Sequence, residues 1–196
     1  MYHLFFGILF IAVCSYLDAI PLAVSMQTAG QELRTTSKGA PITDNGSRTT
    51  IINIAQKEIG VSEATGNNDG ARVEEYLRYT KLGKGHAWCS AFVSFCYGQA
   101  GLPEPCNPWS PALFPNSRTY CRGDACRRPP TRAKILPADI FGIYGQKDRR
   151  INHVGLVKDV KRSYIVTIEG NSNNRVESKR RHLTTIYALA NWVPDN

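Results

Sequence analysis

The stretch His153-Val154-Gly155-Leu156-Val157-Lys158-Asp159-Val160-Lys161-Arg162-Ser163-Tyr164-Ile165-Val166-Thr167-Ile168-Glu169-Gly170-Asn171 reads as one β-hairpin with polar ends. Val154 to Val157 and Tyr164 to Ile168 are rich in residues that suit a pleated surface, and Lys161-Arg162-Ser163 is the polar break between them. If all three of those residues form the loop, Val160 pairs with Tyr164 and His153 falls opposite Asn171. Glu169 then lies diagonally from His153, on the same face by the alternation of strands. Opposed Cβ atoms stand ~5 Å apart, within reach of an imidazole nitrogen for an amide or a carboxylate. A two-residue loop would move the register by one and turn His153 to the other face. Gly155, next along the His153 face, leaves room for a packed element to approach.

A second short segment supplies a partner for that histidine. Trp88-Cys89-Ser90 closes a Gly-rich loop (Gly83, Gly85) and opens a helical run from Ser90 to Ala100. A Cys at that junction faces the positive end of a helix dipole, which favours the nucleophilic thiolate. Cys89 as nucleophile, His153 as base, and Glu169 and Asn171 as the groups that orient the base form a catalytic constellation. Each residue also has an ordinary reading: Cys89 as a buried structural thiol, His153 as a core histidine, Glu169 as a solvated strand end, Asn171 as a turn residue. Cys96 shares the helix but lies mid-helix on its apolar stripe. His86 is a rival base, without a Glu or Asn orienter nearby in sequence. Trp88 is a core anchor or a groove wall; with Glu63, Asn67, Asn68 and Asp69 of the turn-rich loop 62–70 it forms the candidate substrate-binding set. That loop is otherwise a connection, and it has too few acids for a calcium site.

The chain has 196 residues, enough for one domain with a real core plus an extension. Leu4 to Val13 is an unbroken apolar run, too short to span a bilayer comfortably and similar to the core of a signal peptide, although no base precedes it. Cleavage after Ser25 or Ala19 is expected, with lipid attachment at Cys14 as the rival. The domain plan is signal peptide 1–25, linker 26–47 and catalytic domain 48–196. Removing the signal takes away Asp18 and no base, so the exported form is more basic than the formal +8. That charge favours anionic partners. The clusters Arg127-Arg128, Arg149-Arg150 and Lys179-Arg180-Arg181 are scattered and carry no nucleic-acid motif, so each reads as a solvated loop or edge strand. Without Cys14 and Cys89 an even set remains: Cys96, Cys106, Cys121 and Cys126. In an oxidising compartment this allows two disulfides; Cys121 and Cys126 frame a short loop, and Cys96 with Cys106 would tie the helix end to the Pro-rich segment. A zinc site at Cys106, Cys121 and Cys126 matches no standard spacing.

Helical periodicity predicts Arg48–Ile59, capped by Ser47 or Thr49, then Arg72–Thr80 with a Glu74–Arg78 pair, then the nucleophile helix with Phe92, Phe95, Cys96 and Ala100 on one stripe. Leu102–Pro137 reads as an irregular excursion. Ile140–Tyr144, the hairpin, Arg175–Arg181 and Ile186–Trp192 give about five strands. Helices first and antiparallel strands afterwards indicate an α+β domain: three N-terminal helices on an antiparallel sheet.

These pieces together resemble the CHAP-type amidases and peptidases of the wider NlpC/P60 and papain-like group, over roughly residues 48–193. The matching segments are Gly66-Asn67-Asn68-Asp69-Gly70, Trp88-Cys89-Ser90-Ala91-Phe92-Val93-Ser94, Pro137-Ala138-Asp139-Ile140, His153-Val154-Gly155-Leu156-Val157 and Glu169-Gly170-Asn171. The resemblance implies a nucleophile at Cys89, a base at His153 and an orienting pair at Glu169 and Asn171. Where the family commonly has Gly-Asp, this chain has Ala138-Asp139, which affects a turn. It further implies a monomer that needs no metal or cofactor and cuts peptidoglycan amides, at the sugar lactyl group or within the stem peptide and its cross-links. A secreted cysteine protease and a non-catalytic wall-binding module are the alternatives.

Overall fold

Three helices open the described chain. The computed structural model describes residues 44–127 and 135–194, so the signal segment and the linker up to residue 43 lie outside the described residues. Helix α1 (Asp44–Lys57) starts ahead of the expected Arg48 and takes in the end of the expected linker. Ser47 and Thr49 are therefore inside it and do not cap it; the Thr49 and Thr50 hydroxyls donate back to the Asn45 and Gly46 carbonyls. Helix α2 (Ala71–Tyr79) buries Val73, Tyr76 and Leu77, the stripe that its periodicity demands. In α3 (Cys89–Gln99) every side chain from Cys89 to Tyr97 is buried. The single stripe expected there gives way to a core helix, enclosed by α1 and α2 and by the strands described next.

The sheet has six antiparallel strands: β1 (Thr119–Arg122), β2 (Ile140–Gly145), β3 (Arg150–Val160), β4 (Tyr164–Ser172), β5 (Arg175–His182) and β6 (Ala188–Ala190), in the order β1-β6-β2-β3-β4-β5. The sixth strand is β1, inside the segment expected to be irregular. It pairs with β6, and its Cys121 is bonded to Cys126 in the short helix α4 (Asp124–Arg127). The chain is thus α+β as expected, but its helices are not all N-terminal. Cys96 and Cys106 carry free thiols, buried and exposed respectively, so the second expected disulfide is not made. The Cys121–Cys126 bond also takes two of the three sulfurs that the zinc alternative requires.

The decisive hairpin reaches its register by two shifts that cancel. Lys161 N–H donates to the Tyr164 carbonyl at 2.8 Å and Val160 opposes Ile165, so only Arg162 and Ser163 turn. Alone, that would swing His153 to the wrong face. A bulge between Val157 and Asp159 absorbs one residue, and Val157↔Thr167 and Leu156↔Ile168 regain the three-residue-loop register. Gly155 does not admit α3 as anticipated: a Cβ there would lie 3.0 Å from Glu169 Cγ and 2.7 Å from the Phe141 ring. Its space is taken by the Phe141 ring and the Glu169 side chain. The close approach of α3 falls on Gly170, where a Cβ would meet Phe92 Cβ at 2.6 Å and Trp88 Cζ3 at 2.8 Å.

One core fills the gap between helices and sheet (Trp88, Phe92, Ile140, Leu156, Ile168), and a smaller one covers the other face (Phe141, Val157, Ile165, Leu189) with the disulfide. Buried Arg48 fastens α1 to the sheet by donating to Asp139 Oδ1 (2.8 Å), the Pro137 carbonyl (2.8 Å) and Asn191 (2.9 Å). Ala138 sits at φ 69°, a left-handed position that glycine adopts without strain. Among the described residues no helix is long and apolar enough to cross a membrane.

Candidate active site

Cys89 is the first residue of α3, and the residue before it fixes where it stands. Trp88 is fully buried, 5.6 Å from the Tyr76 ring and 6.5 Å from Phe92 by centroids, and its indole N–H donates to Glu63 Oε1 at 2.8 Å. The other Glu63 oxygen accepts the Asn68 N–H at 2.9 Å. Glu63 therefore clamps the loop 62–70 to the start of the nucleophile helix. Both residues were expected to touch substrate; both are buried and engaged, so neither offers a ligand surface. Asp69 accepts from the Thr65 N–H (2.9 Å) and hydroxyl (2.7 Å), and Asn67 donates to the same hydroxyl, so these two close their own loop. Asn68 Oδ1 accepts from Asn171 Nδ2 at 3.1 Å. Asn171, at φ 55°, is thus turned toward the loop, and its side chain bonds Asn68 rather than His153.

His153 and Glu169 do meet, and Cys89 joins them. The Cys89 sulfur contacts the His153 ring, the Val154 N–H and, at 3.4 Å, the Ser110 hydroxyl. His153 Nε2 lies 2.8 Å from Glu169 Oε2, which leaves Nδ1 as the nitrogen free to face sulfur. Glu169 has no exposed surface and is fully engaged: Arg181 donates to both oxygens (2.9 and 2.6 Å) and the Thr167 hydroxyl adds a third bond at 2.5 Å. Such charge-assisted, two-pronged pairing is the strong form of a protein hydrogen bond. His86, the rival base, is exposed on the loop before Trp88.

The charge states follow from these contacts. Burial opposes ionisation of Glu169, but Arg181, His153 and Thr167 outweigh it and hold its pKa at about 2. Burial likewise opposes a charged His153, yet the sulfur and Glu169 raise its pKa to about 9. For Cys89 the cost of burial is exceeded by His153, Ser110 and the Val154 N–H, so its pKa falls below the usual 9.0. Cys96 lacks such partners, and burial drives its pKa well up. Both shifts favour a thiolate–imidazolium pair braced by a carboxylate, an arrangement that suits nucleophilic attack followed by proton donation.

Sequence reasoning missed Arg181, Thr167 and Ser110. Arg181 was read as a solvated edge residue; the Asn173-Asn174 turn, with both φ values near 55°, pairs Ser172 with Arg175, and a register shift between Glu169 and Ser172 then brings Arg181 opposite Ile165 on the Glu169 face. Asn-Asn between two polar-apolar runs is a hairpin signal for β5, but the turn register alone would place Arg181 opposite Val166, and the shift that corrects it carries no local signal. Ser110 opens a short 3-10 helix (Ser110–Leu113) and carried no local signal. A cleft of about 120 Å³ opens at Cys89. A larger cavity, about 380 Å³, lies between Tyr144, Tyr187 and Thr185 and holds none of the reacting groups. The chemistry rather than the volume selects the smaller one. No family model and no curated protein matches the chain, which leaves the site itself as the basis for a functional reading.

Proposed function

We propose that the protein is an exported cysteine hydrolase that cleaves amide bonds in peptidoglycan, as an amidase or as a stem or cross-bridge endopeptidase, on a papain-like fold of the CHAP type. The observation that carries this reading is the His153 ring held between the Cys89 sulfur and the Glu169 carboxylate. In the reaction the thiolate attacks the scissile carbonyl carbon, forming the C–S bond. The imidazolium gives its proton to the departing amine, leaving a thioester. Water, deprotonated by His153, then cleaves the thioester and restores the pair. The Cys89 N–H at the helix start is the first oxyanion donor. Every step uses side chains and water alone. The apolar N-terminal run, the disulfide and the net charge of +8 support an exported protein acting on an anionic wall polymer.

The test is mass spectrometry of muropeptides released from purified wall by wild type and by Cys89→Ala. Loss of all product with wall binding retained is the expected result, and the product masses identify the bond. Cleavage of casein but not wall would convert the reading to a general cysteine protease. Undiminished product from the Ala variant would end the nucleophile assignment.

A further inference from the structure

We infer that the cleft selects substrates bearing a free carboxylate beside the scissile amide, and that Arg150 is the cation that receives it; the inference rests on the hydrolase reading above. Arg150 is the first residue of β3, opposite Gly145, and lines the same cleft as Cys89 and Ser110. Arg48 and Arg181 are committed to Asp139 and Glu169. Among the described residues, no acid or carbonyl receives the exposed Arg150 guanidinium. The nearest acid in sequence, Asp148, accepts from the Asn152 amide at 2.5 Å. Thiolate, imidazolium, Glu169 and Arg181 carry two negative and two positive charges, so they cancel. Arg150 is the one basic side chain among the residues that line the cleft, and its planar guanidinium matches a carboxylate with two parallel hydrogen bonds.

The same cleft is lined by Trp109, 57% exposed, the most exposed large apolar side chain among the described residues. Its backbone N–H is fixed by Asn107 Oδ1 at 2.9 Å, and the 3-10 helix that follows begins with Ser110-Pro111, so the indole is presented on a stiff support. A cleft lined by both an exposed indole and a guanidinium fits a residue with one flat or aliphatic face and one carboxylate edge. Because Cys89 lines the same cleft, that residue is the one adjoining the amide under attack.

The experiment compares two muropeptides that differ only in whether the carboxyl group next to the scissile amide is free or amidated. Wild type should favour the free acid by about tenfold to a hundredfold in kcat/KM, the range of one charge-assisted hydrogen bond. Arg150→Gln should bring that ratio to about one, a change that general loss of fold or of catalysis does not produce. A preference that survives in Arg150→Gln, or wild-type indifference to the two, overturns the role of Arg150 and leaves the hydrolase reading intact. Failure of wild type to cut either muropeptide refutes both.

Discussion

Replacing Glu169 by Gln removes one negative charge from a fully enclosed site and leaves its shape intact. Two magnitudes follow. The Glu169 pKa of about 2 against an ordinary 4.5 is a stabilisation of about 3 kcal/mol in the ionised state. The sign is that of a depressed acid: the contribution is complete above pH 4.5 and is lost as pH falls through about 2. Urea unfolding should therefore show wild type about 3 kcal/mol more stable than Glu169→Gln at pH 7, with the gap closing toward pH 2. That loss is a fraction of a typical domain's stability, so the variant folds. The second magnitude concerns His153, whose raised pKa of about 9 owes part of its elevation to the bond from Nε2 to Glu169. A hydrogen bond to a charged group is worth about 1.5–3 kcal/mol, so the imidazolium should lose its proton about 1–2 pH units lower in the variant. NMR titration of the His153 ring reads this directly, and the alkaline edge of the Cys89 alkylation profile should move the same way. An unmoved His153 midpoint, or a stability gap that persists undiminished at pH 2, would falsify the assignment of Glu169 as the brace of the pair.

Two further substitutions test the frame that carries the site. Gly170→Ala places a methyl group 2.6 Å from Phe92 Cβ and 2.8 Å from Trp88, and should cost about 1–3 kcal/mol in urea unfolding; a change under about 0.5 kcal/mol would mean that α3 does not seat on β4 as described. Asp139→Asn removes the carboxylate that accepts from Arg48 at 2.8 Å, and should lower stability by about 1.5–3 kcal/mol, the range of a hydrogen bond between charged groups, by the same measurement. A surface-like loss of a few tenths would contradict the buried ion pair.

Particular residues show what was legible in the sequence and what was not. Cys89 at a helix start, the β3–β4 hairpin and the sequence Trp88-Cys89 are local features, set by short-range propensities, and the helix and strand around them formed where expected. Strand β1 was hidden because it has four residues and no partner nearby in sequence; only β6, far along the chain, makes it a strand. Burial of Glu63 was hidden for a similar reason. A Glu in a turn-rich loop reads as solvated, and the indole N–H that draws it inward belongs to a residue 25 positions away.

The choice between Glu169 and Asn171 shows the limit most clearly. The register puts Asn171 directly opposite His153, which on spacing alone favours the amide. Two backbone facts decide otherwise. The left-handed φ of Asn171 bends the strand end toward Asn68, and the missing side chain at Gly155 lets Glu169 lean across to Nε2. Neither fact is a propensity; each is a property of two strands in contact. An alternating pattern could therefore nominate both residues as orienters of the base, and only the packed hairpin separates the carboxylate that reaches the imidazole from the amide that holds the neighbouring loop.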